Sequence, residues 1–161
     1  MNTNHQASVV RLSELQLPEF GYENNPAARV RGTFPFSAAT GNKNTAAVYV
    51  EVEPGCHLPT HTDSAEEVLL FLGGQAKVTV GDLEAEVAAG EMAVVPAMAP
   101  HSVYNVGDEP LRFVGIFSSN TVMSTFDQPL LLLGQPPVSP LGERTVLTPL
   151  PIQFEQAPVA A

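Results

Sequence analysis

The sequence predicts an all-β domain, an antiparallel barrel or sandwich, on three observations. Short β-prone runs follow one another from Ala27 to Phe117, glycine-centred turns part them at nearly even spacing, and no long segment keeps a helical period. Residues 1–26 are polar and irregular apart from VVRL and SELQLPE, and are read as an N-terminal arm or edge element with a turn of helix. Residues 27–117 carry the barrel runs ARVRGTF, AAVYVEV, EVLLFL, QAKVTV, LEAEVA, MAVVP, HSVYNV and LRFVGIF. Gly81-Asp82 lies between two alternating runs and gives the clearest hairpin. Residues 118–161 form a C-terminal tail whose repeated prolines oppose a regular central strand. The Leu130 to Leu133 run in that tail needs an apolar partner, either the barrel or a second subunit.

Composition narrows the function. The chain has 161 residues, 44% of them hydrophobic, which suits one domain with one core. Cys56 is the only cysteine, so disulfide scaffolds and cysteine-rich zinc modules are excluded. Seven basic against 17 acidic residues give a net charge of −10, which disfavours nucleic acid or an anionic membrane as partner. No apolar run is long enough to span a bilayer and the N-terminus carries no signal-like segment, so a cytoplasmic location is expected.

Two segments concentrate the chemistry, GCHLPTHTDSAEEVLLFLGG from Gly55 and GEMAVVPAMAPHSVYN from Gly90. His61 and Asp63 share a parity on one strand, Glu67 opens the next strand, and His101 arrives one hairpin later. Such a spacing lets all four converge inside a small barrel. Two imidazoles and a carboxylate on rigid strands form a nitrogen and oxygen donor set suited to Fe(II), Mn(II), Ni(II) or Zn(II).

These segments closely resemble the two motifs of the cupin superfamily. Gly55, His61, Glu67 and Gly74 match the first motif, with Asp63 in place of its second histidine, and Gly90, Pro96, His101 and Asn105 match the second, with Met98 where a glycine is usual. The resemblance implies a double-stranded β-helix, or jelly roll, a single divalent metal with Fe(II) or Mn(II) favoured, and assembly as a homodimer. Asp63 either joins His61, Glu67 and His101 on the ion, or stays behind a two-histidine, one-glutamate triad that leaves positions open for oxygen chemistry. The triad also resembles that of the 3-hydroxyanthranilate dioxygenases, where an arginine stands at the position of His57 in this chain. His57 shares the parity of His61 and is expected inside the barrel, where it or Asp63 would move a proton.

Pro59, Leu69, Phe71 and Val103 share the inward phase, joined by Tyr49 or Val50 according to register. Arg29, Arg31 and Arg112 are the candidate cationic anchors, each more commonly a solvated strand-face residue. Glu66 is read as facing solvent, Cys56 as a packed or loop thiol, and Asn105 as the closure of a turn. The leading expectation is a dioxygenase, an oxidoreductase acting with dioxygen on a small organic molecule at the metal. A redox-neutral lyase, isomerase or decarboxylase with the same ligands stands as the alternative, as does a non-enzymatic small-molecule-binding barrel.

Overall fold

The structure is a computed structural model and describes residues 7–134. Twelve strands build it: β1 (Glu19–Tyr22), β2 (Asn25–Phe36), β3 (Ala46–Val52), β4 (His57–Asp63), β5 (Glu67–Gly73) and β6 (Gln75–Val80) come first. They are followed by β7 (Leu83–Ala88), β8 (Met92–Val95), β9 (His101–Asn105), β10 (Leu111–Phe117), β11 (Ser124–Phe126) and β12 (Leu131–Leu132). Two short 3-10 turns, Leu12–Glu14 and Ala38–Thr40, are the only helical pieces among the described residues.

Strand neighbours run β7, β6, β9, β4, β2, β3, β10, β5, β8, antiparallel except where Ala28 of β2 meets His57 of β4 in parallel. β2 therefore hands the chain from one sheet to the other, and the two sheets wrap around one core. The expected all-β jelly roll is borne out. β3 and β5 to β10 coincide with the runs read from the sequence, and β2 extends its run at both ends.

Alternation explains why these runs form strands and which face each one buries. Along β5 the pattern puts Leu69 and Phe71 inside at 1% and 0% exposure while Leu72 is exposed. Val50, Val52, Val78, Val103, Leu111 and Phe113 close the same core. The Gly81-Asp82 turn joins β6 to β7 with Val80 opposite Leu83, as the hairpin signal requires. Gly74 holds φ +80°, and a Cβ there would stand 2.8 Å from the Leu111 Cα, so only glycine lets β5 pass to β6 so close to β10. Asn105 closes the β9–β10 turn: its Nδ2 donates to the carbonyls of Val52 and Glu109 at 2.8 Å each, and its Oδ1 accepts from the Gly107 N–H at 2.9 Å.

Of the four register shifts among the described strands, two contain a proline. β2 slips one residue against β3 between Thr33 and Phe36, around Pro35, and β4 slips one residue against β9 between Leu58 and His61, around Pro59. A proline has no N–H for the ladder, so an extra unpaired residue costs least there. The second shift decides what enters the functional site.

Segments outside 27–117 also join the sheets. β1 pairs with β2 and with β12, where Leu131 lies opposite Gly21, and β11 pairs with β4. Leu130 and Leu131 are each 9% exposed. The prolines and apolar residues from 135 onward lie outside the described residues. No helix among the described residues is long and apolar enough to cross a membrane.

Candidate metal centre

The β4–β9 pairing sets His61 directly opposite His101, and the pleat puts Asp63 on the same face two residues on. Glu67 reaches the same point from β5, in the opposing sheet. The structure thus brings together all four expected residues, His61, Asp63, Glu67 and His101, at 7%, 2%, 4% and 1% exposure.

Each imidazole is oriented from behind. His61 Nδ1 donates to the Pro59 carbonyl at 2.8 Å, and His101 Nδ1 donates to the Ala99 carbonyl at 2.9 Å. In the neutral rings, the form that binds a metal, both Nε2 atoms therefore turn their lone pair toward the cluster. Asp63 Oδ2 lies 3.5 Å from His61 Nε2 and 3.3 Å from His101 Nε2, and Glu67 Oε2 lies 3.4 Å from His101 Nε2. Asp63 Oδ2 and His101 Nε2 are buried without a hydrogen-bond partner.

Two buried acceptors facing one another are costly unless something electropositive stands between them. Donor atoms about 2.0–2.2 Å from a shared ion at tetrahedral or octahedral angles lie about 3.0–3.5 Å apart, which is the spacing seen. His61, Asp63 and His101 accordingly form a divalent metal site, and the mix of imidazole and carboxylate donors fits Mn(II) and its neighbours.

Without an ion the same atoms compete for protons. Burial alone would raise the Asp63 carboxyl, but His101, His61 and the Ser124 hydroxyl outweigh it and hold it well below the usual range. Burial likewise works against the His101 imidazolium, yet Asp63 and Glu67 push His101 up to about 10. Burial, reinforced by the Asp63 charge, raises Glu67. A positive charge is wanted where the four side chains meet, and a proton or a metal ion supplies it.

His57 requires a correction. It does not join the cluster: it lies opposite Tyr104 and stacks on that ring, with centroids 4.4 Å apart, and Lys77 Nζ lies 5.2 Å from the same ring. The extra residue between Leu58 and His61 inverts the phase of β4, so the parity that put His57 beside His61 fails. The arginines also turn away. Arg29 pairs with Glu19 at 3.4 Å, Arg31 with Glu51 and Glu53 at 2.9 and 2.8 Å, and Arg112 lies over Gly73 on the exposed side. Of the two neighbouring-strand residues, Val50 enters the core, whereas Tyr49 faces Glu51 and donates to its Oε1 at 2.9 Å.

Three residues at the site were not foreseen. Ser124 donates to Asp63 Oδ1, and Phe126 stacks on His61 with centroids 4.6 Å apart. Both belong to β11, and no local pattern announces pairing with a strand so distant in sequence. Gly115 is the third: a Cβ there would land on Glu67 Oε1 and stand 2.9 Å from Val48 Cγ1, so its missing side chain is the space the carboxylate uses. A glycine inside the strand-forming LRFVGIF run is the signal that marks such a close approach.

Comparison with known proteins bears on the chemistry. Residues 48–117 match the family model of the cupin domain. The chain is 33% identical over 85 residues to the oxalate decarboxylase OxdC of Bacillus subtilis (strain 168), a match covering 49% of this chain and 22% of that protein. A structure addressing the Mn(II) centres of the Bacillus subtilis oxalate decarboxylase superposes with a TM-score of 0.58 and 26% identity, over 70% of this chain and 30% of that one. The formate complex of the Lactobacillus farciminis oxalate decarboxylase gives a TM-score of 0.61 at 24% identity, over 71% and 34%, and speaks to the fold alone. The chain spans about a fifth to a third of the length of these relatives.

The expected dioxygenase and oxidoreductase chemistry is overturned by these similarities, which point to decarboxylases and so to the redox-neutral alternative. The geometry agrees: the dioxygenase expectation rested on a three-residue triad with Asp63 behind it, and Asp63 Oδ2 instead stands among the donor atoms, 3.3 Å from His101 Nε2. The described barrel has the cupin fold, is similar over 85 residues to an oxalate decarboxylase, and brings together a His61, Asp63 and His101 cluster that resembles a metal-binding cupin site.

Proposed function

We propose that this protein is a Mn(II)-dependent decarboxylase of a small carboxylic acid, with oxalate the first candidate substrate, and that His61, Asp63, Glu67 and His101 hold the ion. The observation that carries the reading is the buried Asp63 Oδ2, 3.3 Å from a bare His101 Nε2, in a chain similar to a manganese decarboxylase. A bound divalent ion supplies Lewis-acid charge that binds and polarises a substrate carboxylate.

The residues do the rest. The Pro59 and Ala99 carbonyls fix both imidazoles in the tautomer that presents Nε2. Asp63 and Glu67 together offset a charge of +2, so an incoming carboxylate meets a site near neutrality rather than a strongly attractive one. No cationic side chain of the described residues reaches the cluster, which leaves the ion as the anion's anchor. Leu69, Phe71, Val103 and Phe113 are buried in the apolar core of the same barrel, and in apolar surroundings a localised carboxylate is less favoured than a transition state in which charge spreads as the C–C bond breaks and carbon dioxide leaves. The electron pair left on carbon takes up one proton from solvent, so that oxalate and a proton give carbon dioxide and formate.

The test is direct. Full-length protein loaded with Mn(II) and given oxalate is expected to release equimolar carbon dioxide and formate, followed by carbon-13 NMR. No turnover of oxalate or of other small mono- and dicarboxylates by metal-replete protein contradicts the assignment.

A second copy of this chain is the partner we propose. Support comes from the outer face of the β8–β5–β10–β3 sheet, where Val94, Val68, Ile116 and Ala47 form one cross-strand row and Met92, Leu70 and Val114 form the next. Met92, Val94 and Ile116 are 61%, 56% and 42% exposed, more apolar surface than an isolated sheet face ordinarily presents. Light scattering is expected to give the dimer mass, and a monomer at all concentrations refutes it.

A further inference from the structure

We propose that Ser124 is a positioning residue of the metal centre, turning the Asp63 carboxylate so that Oδ1 is tied to β11 and Oδ2 alone faces the point shared by His61 and His101. The inference rests on the metal site and not on the reaction assigned to it. Asp63 has two oxygens in different circumstances: Oδ1 accepts from the Ser124 hydroxyl, and Oδ2 is buried without a hydrogen bond. A free carboxylate turns about its last torsion and presents either oxygen, or both, to an ion. A carboxylate with one oxygen already accepting presents the other.

Ser124 is itself held in place. It lies directly opposite Asp63 in the β11–β4 pairing, and the start of β11 is clamped where Ser64 N–H donates to the Met123 carbonyl at 3.0 Å and Met123 N–H donates to Ser64 Oγ at 2.9 Å. From the other side, the Asp63 carbonyl accepts from the Met98 N–H at 2.8 Å. Two residues further along β11, Phe126 lies against the His61 ring at an interplanar angle of 16°. One short strand outside the region matching the cupin family model therefore sets the aspartate and braces its neighbouring histidine. A short aspartate standing where the motif has a longer histidine needs such a fixture.

The test compares Ser124→Thr with Ser124→Val. The two side chains have the same shape and both suit a strand, so they differ in one hydroxyl against one methyl. Mn(II) affinity is measured on the full chain by titration, together with the EPR line shape of the bound ion. Ser124→Val is expected to bind Mn(II) about 10- to 100-fold more weakly than Ser124→Thr and to change the line shape, the effect typical of removing a partner behind a metal ligand. Thr125→Ala on the exposed side of the same strand is expected to bind as the unaltered protein does. Equal affinities and identical spectra for the Thr and Val variants overturn the proposal, because a hydroxyl that only stabilised the fold would shift the melting temperature of metal-free protein and nothing else. Should Ser124→Val fail to fold, Ser124→Ala takes its place, with the same expected loss and the same contrary result. Failure of the unaltered protein to bind Mn(II) overturns the metal site itself, whatever the reaction, whereas binding without decarboxylation leaves the Ser124 comparison intact.

Discussion

A single missing methyl group shows how closely this site is fitted. Gly115 gives Glu67 the volume its carboxylate occupies, and any side chain there meets Glu67 Oε1 on one side and Val48 on the other. Glu67 is buried and belongs to a network, so it has nowhere apolar to retreat without leaving His101 partly unpaired. Gly115→Ala is therefore expected to lower stability by about 1–3 kcal/mol, the usual cost of overpacking, and to weaken Mn(II) binding as well. Urea denaturation and a metal titration on the same preparation check both. Unchanged affinity in a destabilised variant would separate Glu67 from the ion.

At the scale of elements, the loop between β8 and β9 carries a strain that the sequence motif hints at. Met98 sits at φ +63°, the only residue other than glycine at positive φ among the described residues, and it occupies the position where the cupin motif usually has glycine. Its side chain is 61% exposed, so packing does not reward the conformation. The loop is nevertheless pinned, because the Met98 N–H donates to the Asp63 carbonyl and the Ala99 carbonyl accepts from His101 Nδ1. A left-handed conformation costs a non-glycine residue about 1–2 kcal/mol, and glycine's extra freedom in the unfolded chain costs roughly 0.5–1 kcal/mol. Met98→Gly is thus expected to stabilise the fold by about 0.5–1 kcal/mol, read as a higher midpoint in urea. A lower midpoint would mean the loop is not strained.

The same element scale shows what could be read from the sequence and what could not. β5 to β10 were legible because apolar and polar residues alternate along them and glycines stop them. His61, Asp63, Glu67 and His101 were legible because their spacing matches a motif whose residues share one parity. His57 was misplaced by the same parity rule, since one bulged residue inverts the phase, and Pro59 was the available warning. Ser124 and Phe126 were hidden for a different reason: β11 has no pattern of its own and exists through its pairing with β4. Long-range pairing leaves little trace in a three-residue stretch.

For the whole molecule, the cluster ties stability to pH with opposite signs in the two metal states. In metal-free protein, Asp63 is held below its ordinary value, so its contribution is present above about pH 4 and is lost as the pH falls further. His101 is raised to about 10, so its contribution is full below its ordinary value near 6.5 and disappears as the pH climbs through 10. Glu67, also raised, penalises folding at higher pH in the same direction. Metal-free protein should therefore melt highest between about pH 4 and 6.5 and decline above that range. Metal binding needs the imidazoles bare, so Mn(II) is expected to add more to the melting temperature at pH 8.5 than at pH 6. Calorimetry with and without Mn(II) across that range checks it, and a metal-induced shift that shrinks with rising pH would contradict the coupling.

The most direct measurement is pulsed EPR on the full chain loaded with one equivalent of Mn(II). Two imidazole nitrogens coupled to the ion are expected in the unaltered protein, one in His101→Ala, and loss of tight binding when Asp63→Ala is added. A spectrum without nitrogen coupling, or one that His101→Ala leaves unchanged, would mean that His61, Asp63 and His101 do not meet on a common ion.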